Sequence, residues 1–148
     1  ARRRTYAILR WSALPGASRH HWGTDLDVWD AAAVGAGYRL RLEPEEYAPG
    51  GPFHRLSIWL DAHLGAASGF ARPYGGDTGG AAEPWHLSYL PLAARFERQL
   101  TPALLRRTLE GAALELKAVV LDELAEIHAR FVATGQHRAG AGPLHPRS

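Results

Sequence analysis

The chain changes character near residue 100, and that change limits the folds open to it. In the first 90 residues, apolar positions come in short runs cut by Gly and Pro. Thr24 to Trp29 places Leu26 and Val28 on one face and Asp25 and Asp27 on the other, which is strand periodicity. Tyr38 to Leu42, Phe70 to Arg72 and Trp85 to Tyr89 are further strand candidates, with Pro84 acceptable where the last one starts. Trp11 to Arg19, Glu43 to Gly51 and Tyr74 to Gly80 are predicted loops. Residues 2–10 could end a helix, and Leu56, Trp59, Leu60, His63 and Leu64 space a helix over 52–67. Then Thr101-Pro102 supplies an N-cap followed by Pro at the first helical position. Beyond Gly111, Leu116, Val120, Leu124, Ile127 and Phe131 predict one long helix with an apolar stripe. The predicted class is α+β: short strands covered by helices, closing on a C-terminal helical hairpin. Residues 1–133 are expected to form one domain, and residues 134–148 a disordered tail.

With 148 residues, 46% of them hydrophobic, and a net charge of +2, such a domain can bury a core, and a disordered chain is excluded. No apolar run reaches the length of a membrane span. All but one of the 17 basic residues are Arg, scattered apart from Arg2 to Arg4, so no nucleic acid is expected as a partner. The chain opens on Ala1 and contains no Met, which leads us to expect a piece of a longer protein lacking its N-terminal segment. It carries no signal-peptide pattern.

The absence of Cys removes disulfides, thiolate zinc sites and cysteine nucleophiles, and leaves His, Asp and Glu to carry chemistry. His20, His21, Asp25 and Asp27 gather four nitrogen and oxygen donors, a set that Zn²⁺ accepts. A turn at Gly23 can bring His20 back beside Asp27. A solvated polar loop accounts for the same residues on spacing alone. Glu83-Pro84-Trp85-His86 forms a second cluster, in which Pro84 excludes a helical register. A Glu before a strand and a His on it suit a metal and its base, or an acidic loop beside a half-buried His. His54, His63, His128, His137 and His145 lie in helices or tail and are not expected to bind metal.

Taken together, the clusters resemble a known family. Ser18-Arg19-His20-His21-Trp22-Gly23-Thr24-Asp25-Leu26-Asp27 resembles the S-x-H-x-x-G-x-x-x-D motif of the D-Ala-D-Ala metallopeptidases, and Glu83-Pro84-Trp85-His86 resembles their E-x-W-H motif. Phe70 to Tyr74 and Leu87 to Tyr89 look like the D,D-carboxypeptidase branch, and the resemblance spans roughly residues 5–133.

The resemblance implies a small, mostly antiparallel sheet carrying one zinc ion, flanked by helices. His20, Asp27 and His86 would be its ligands and Glu83 the catalytic base. Ser18 would orient the His20 loop, Trp85 would wall the substrate cleft, and Asp25, where relatives often carry Ala, would hydrogen-bond a ligand. Family members also carry an Arg well upstream that helps hold the substrate. Only 19 residues precede His20 here, and neither Arg10 nor Arg2 to Arg4 sits in a matching motif, so the missing segment or Arg72 is expected to supply that group. The implied activity is removal of the terminal D-Ala from peptidoglycan stem peptides, in the cell envelope or periplasm. Alternatives are a D,D-dipeptidase, a peptidoglycan endopeptidase, or a non-catalytic zinc module that binds peptidoglycan or a protein partner. Oligomeric state is not read from the sequence.

Overall fold

The computed structural model describes residues 1–75 and 80–133. The expected tail over 134–148 and most of the Gly-rich loop, residues 76–79, lie outside the described residues. The elements run α1 (Arg2–Leu9), β1 (Asp25–Asp27), α2 (Pro44–Tyr47), α3 (His54–His63), β2 (Phe70–Ala71), β3 (His86–Tyr89), α4 (Leu90–Gln99), α5 (Pro102–Glu110), α6 (Lys117–Asp122) and α7 (Leu124–Ile127). Short 3₁₀ turns span Arg19–Trp22 and Ala31–Ala33, and a π turn, His128–Val132, follows α7. The α+β class is thus as expected. No helix among the described residues is long and apolar enough to cross a membrane.

The three strands pair antiparallel in the order β1-β3-β2, so β3 is central. Asp25 faces Ser88, Leu26 faces Leu87 and Asp27 faces His86. Because strand side chains alternate, Asp25, Asp27, His86 and Ser88 share one face. On that polar face Asp25, His86 and Ser88 are buried; on the opposite face Leu87 is buried and Leu26 is 44% exposed.

Two hydrophobic clusters form the core. The larger joins Leu9 of α1, Leu105 and Leu109 of α5, Val120 of α6, and Leu124 and Ile127 of α7. Thr101 caps α5 as its sequence requires, its hydroxyl accepting from the Leu104 N–H at 3.2 Å. The second cluster packs Tyr47, Phe53 and Trp85.

Two expectations are corrected. Tyr38 to Leu42 alternates like a strand but pairs with none. The Tyr38 hydroxyl and the Arg41 N–H, the latter at 3.3 Å, both bond the Glu46 carboxylate, and Leu42 is left-handed at φ 54°, which breaks extended structure. The long helix beyond Gly111 is interrupted at Glu123, and Leu116 caps α6 in a left-handed conformation at φ 58°. Arg106 donates to the Leu121 carbonyl at 2.6 Å, and Glu123 is drawn to Tyr6 at 2.9 Å and Arg2 at 3.0 Å. Val120, Leu124 and Ile127 remain buried across the break, so the apolar stripe persists without a continuous helix.

Candidate metal centre

Gly23 makes the first half of the site. It closes the 3₁₀ turn Arg19–Trp22 at φ 70°, a conformation natural to glycine, and its N–H bonds the His20 carbonyl at 3.2 Å. The chain then reverses into β1, and His20 Nε2 comes to 3.5 Å from Asp27 Oδ1. The second half is cross-strand. His86 is the register partner of Asp27, and its Nδ1 lies 3.5 Å from the same Oδ1. One ligand atom from each of His20, Asp27 and His86 falls within 4.8 Å of the others.

The remaining ring nitrogens decide the protonation pattern. His86 Nε2 lies 2.9 Å from Asp25 Oδ1, and His20 Nδ1 lies 3.3 Å from the Asp25 main-chain carbonyl. Both partners are acceptors and lie closer than the 3.5 Å from the opposite nitrogens to Asp27, and for His86 closer than the 3.2 Å to Glu83, which favours the protons there in the neutral rings. The lone pairs are left on His20 Nε2 and His86 Nδ1, the two nitrogens beside Asp27. A tetrahedral ion about 2.1 Å from each ligand would separate them by about 3.4 Å, so the donor types and the two 3.5 Å separations from Asp27 fit zinc.

Electrostatics keep Asp25 charged and favour a proton on His86 that a bound metal would have to displace. Burial alone would raise the Asp25 carboxyl, but hydrogen bonds from His86, Thr24 and Arg19, with the Arg19 charge, hold it far below the ordinary carboxylate range. Burial works against the charged form of His86, yet hydrogen bonds and charges of Asp25 and Glu83 raise its pKa. Glu83 Oε2 stands 3.2 Å from His86 Nδ1, and the Glu83 N–H is pinned to the Tyr74 carbonyl at 3.1 Å. Both Glu83 and the three donor residues line a cavity of about 620 Å³ between the two hydrophobic clusters.

Ser18 lines this cavity, and its carbonyl accepts the His21 N–H at 3.2 Å. Trp85 is both a core residue and part of the cavity wall. His21 reaches the wall but does not join the cluster of donors. Arg72 lies outside the wall: Nε donates to the Pro84 carbonyl at 2.8 Å, Nη2 reaches Ser57 Oγ at 3.2 Å, and Nη1 pairs with Asp61. It ties α3 and β2 to the loop that carries Glu83.

Three contributors escaped the sequence reading. Arg19 is fully buried, contacting Asp25 at 2.8 Å, Glu97 at 2.9 Å and Ser88 at 2.7 Å. Its place between Ser18 and His20 was the available signal. Glu97, far along the chain on α4, offered none. Tyr74 sets its ring edge against His86, centroids 5.0 Å apart, and burial keeps its hydroxyl protonated by raising its pKa.

Comparison with known proteins adds to the geometry. A family model described as D-alanyl-D-alanine carboxypeptidase matches residues 1–92, a span that includes His20, Asp27, Glu83 and His86. An uncharacterized protein of Haemophilus influenzae is 35% identical over 122 residues, covering 80% of this chain and 92% of that protein. No solved structure matches the chain.

Proposed function

The chain belongs to the D-alanyl-D-alanine carboxypeptidase family, and from that premise we propose that it is a zinc-dependent hydrolase removing the terminal D-Ala of peptidoglycan stem peptides. The observation that carries this reading is the convergence of three donor atoms within 4.8 Å beside the Glu83 carboxylate, on the wall of a cavity. His20, Asp27 and His86 would hold one zinc ion, which when bound supplies Lewis-acid chemistry to the water and to the scissile carbonyl.

Glu83 performs the proton transfer. Its carboxylate takes a proton from the attacking water as the water oxygen bonds to the carbonyl carbon. It then delivers that proton to the amine nitrogen as the C–N bond breaks. Pro84 removes a backbone donor and restricts Glu83 to extended conformations, which keeps the carboxylate at the cavity wall. Trp85 anchors this loop by packing against Tyr47, with ring centroids 5.6 Å apart. Ser18 helps hold the turn that presents His20. A substrate of this kind places the protein's work in the cell envelope or periplasm.

The test is incubation of the zinc-loaded protein with a stem pentapeptide ending in D-Ala-D-Ala, followed by mass analysis. Loss of one D-Ala is expected. Release of the D-Ala-D-Ala dipeptide or internal cleavage would mark a dipeptidase or endopeptidase instead. Binding without cleavage would leave a non-catalytic module.

A further inference from the structure

We propose that Arg19 is a positioning residue for the metal centre, acting through Asp25 to fix how both histidines present their lone pairs; this rests on the metal reading above. The Arg19 side chain is 1% exposed, and each of its three nitrogens has a partner on a different element. Nε donates to Asp25 Oδ1 on β1 at 2.8 Å, Nη1 to Glu97 Oε2 on α4 at 2.9 Å, and Nη2 to Ser88 Oγ on β3 at 2.7 Å. Trp22 covers the guanidinium, 4.6 Å from ring centroid to Cζ.

The consequence falls on Asp25. Its Oδ1 also receives His86 Nε2 at 2.9 Å, while Oδ2 accepts from Thr24 Oγ1 at 2.7 Å and Ser88 Oγ at 3.0 Å. Four contacts fix the plane of this carboxylate, so it cannot rotate without breaking several at once. A fixed Oδ1, at 2.9 Å from Nε2 against 3.2 Å from Nδ1 to the Glu83 carboxylate, favours the proton of His86 on Nε2 and aims Nδ1 at the site. The carbonyl of the same residue meets His20 Nδ1 at 3.3 Å, so Asp25 governs both rings, one through its side chain and one through its backbone. Groups that orient metal-binding histidines in this way strengthen metal affinity. The guanidinium spreads its donors over three nitrogens in a rigid plane, one for each partner, whereas an ammonium offers its three from a single atom.

The experiment uses the full chain. Zinc affinity is measured by chelator competition for wild type, Arg19→Lys, Asp25→Asn and the double variant. Asp25→Asn is expected to weaken binding about 10–100-fold, and Arg19→Lys about tenfold. The double variant should be no weaker than Asp25→Asn alone, because Arg19 acts through Asp25. Unchanged affinity of Arg19→Lys, or losses that multiply in the double variant, would overturn the proposal. If Arg19→Lys fails to fold, Arg19→Gln with Glu97→Gln, which keeps the buried net charge, replaces it. A second readout needs no metal: ¹⁵N NMR of the His86 imidazole at alkaline pH should show the proton on Nε2 in wild type and a shift toward Nδ1 in the variants. Identical tautomer populations would overturn the proposal. Should wild type bind no zinc, the metal reading fails, while the tautomer result still decides the role of Arg19.

Discussion

Asp27 and His86 are direct cross-strand partners, and the carboxylate oxygen of one lies 3.5 Å from Nδ1 of the other. A metal shared by this pair would bridge β1 and β3. Each of His20→Ala, Asp27→Ala and His86→Ala is therefore expected to lose most bound zinc on mild dialysis, as measured by elemental analysis. Full occupancy in all three variants would refute the ligand assignment.

Glu83 stands apart from that set. Replacing it with Gln keeps the shape but removes the ability to take a proton. Zinc content and the melting temperature of Glu83→Gln should match wild type, and turnover of a D-Ala-terminated peptide should fall about 10²–10⁴-fold. Equal rates for variant and wild type would exclude Glu83 as the base.

Gly23 tests whether the turn places His20. A Cβ at Gly23 would meet no atom within 4 Å, so the cost of Gly23→Ala comes from its φ of 70° alone. We expect about 1 kcal/mol of lost stability, seen as a melting point lower by a few degrees, together with weaker zinc binding. A variant more stable than wild type would show that the turn relaxes to another conformation.

Glu46 should shape acid stability. Burial disfavours its carboxylate, but the Tyr38 hydroxyl and the N–H groups of Glu43 and Arg41, with the Arg41 charge, outweigh burial and hold its pKa below the ordinary 4.5. The folded protein thus binds this proton less readily than the unfolded chain. Its stabilisation is fully present above about pH 4.5 and is lost as pH falls through the lower folded value. Glu46→Gln should be less stable at neutral pH and show a flatter acid limb in urea unfolding between pH 5 and 3. A slope unchanged from wild type would count against the Glu46 contribution.

The site donors were legible because each depends on local or nearest-strand geometry. His20 and Asp27 are joined by one glycine turn, and Glu83 and His86 by one proline-fixed segment. Arg19 resembled the other scattered arginines, since nothing in its neighbourhood announces Glu97 on α4, 78 residues away. Tyr38 to Leu42 alternates without forming a strand because alternation reports which face is apolar, and says nothing of whether a pairing edge exists. The break at Glu123 was invisible for a related reason: the stripe through Val120, Leu124 and Ile127 needs only a common buried side, which two short helices provide.

The burial of Arg19 between two carboxylates also bears on how such a sequence can drift. Losing the guanidinium alone removes the cation shared by Asp25 and Glu97, and losing one partner of a buried pair costs roughly 3–5 kcal/mol, a large part of a domain's net stability of about 5–15 kcal/mol. Exchanges at position 19 that discard the positive charge are therefore expected to cost more stability than the charge-keeping Arg19→Lys. Substitutions at positions 19, 25 and 97, which share one buried network, are accordingly expected to couple and not to add.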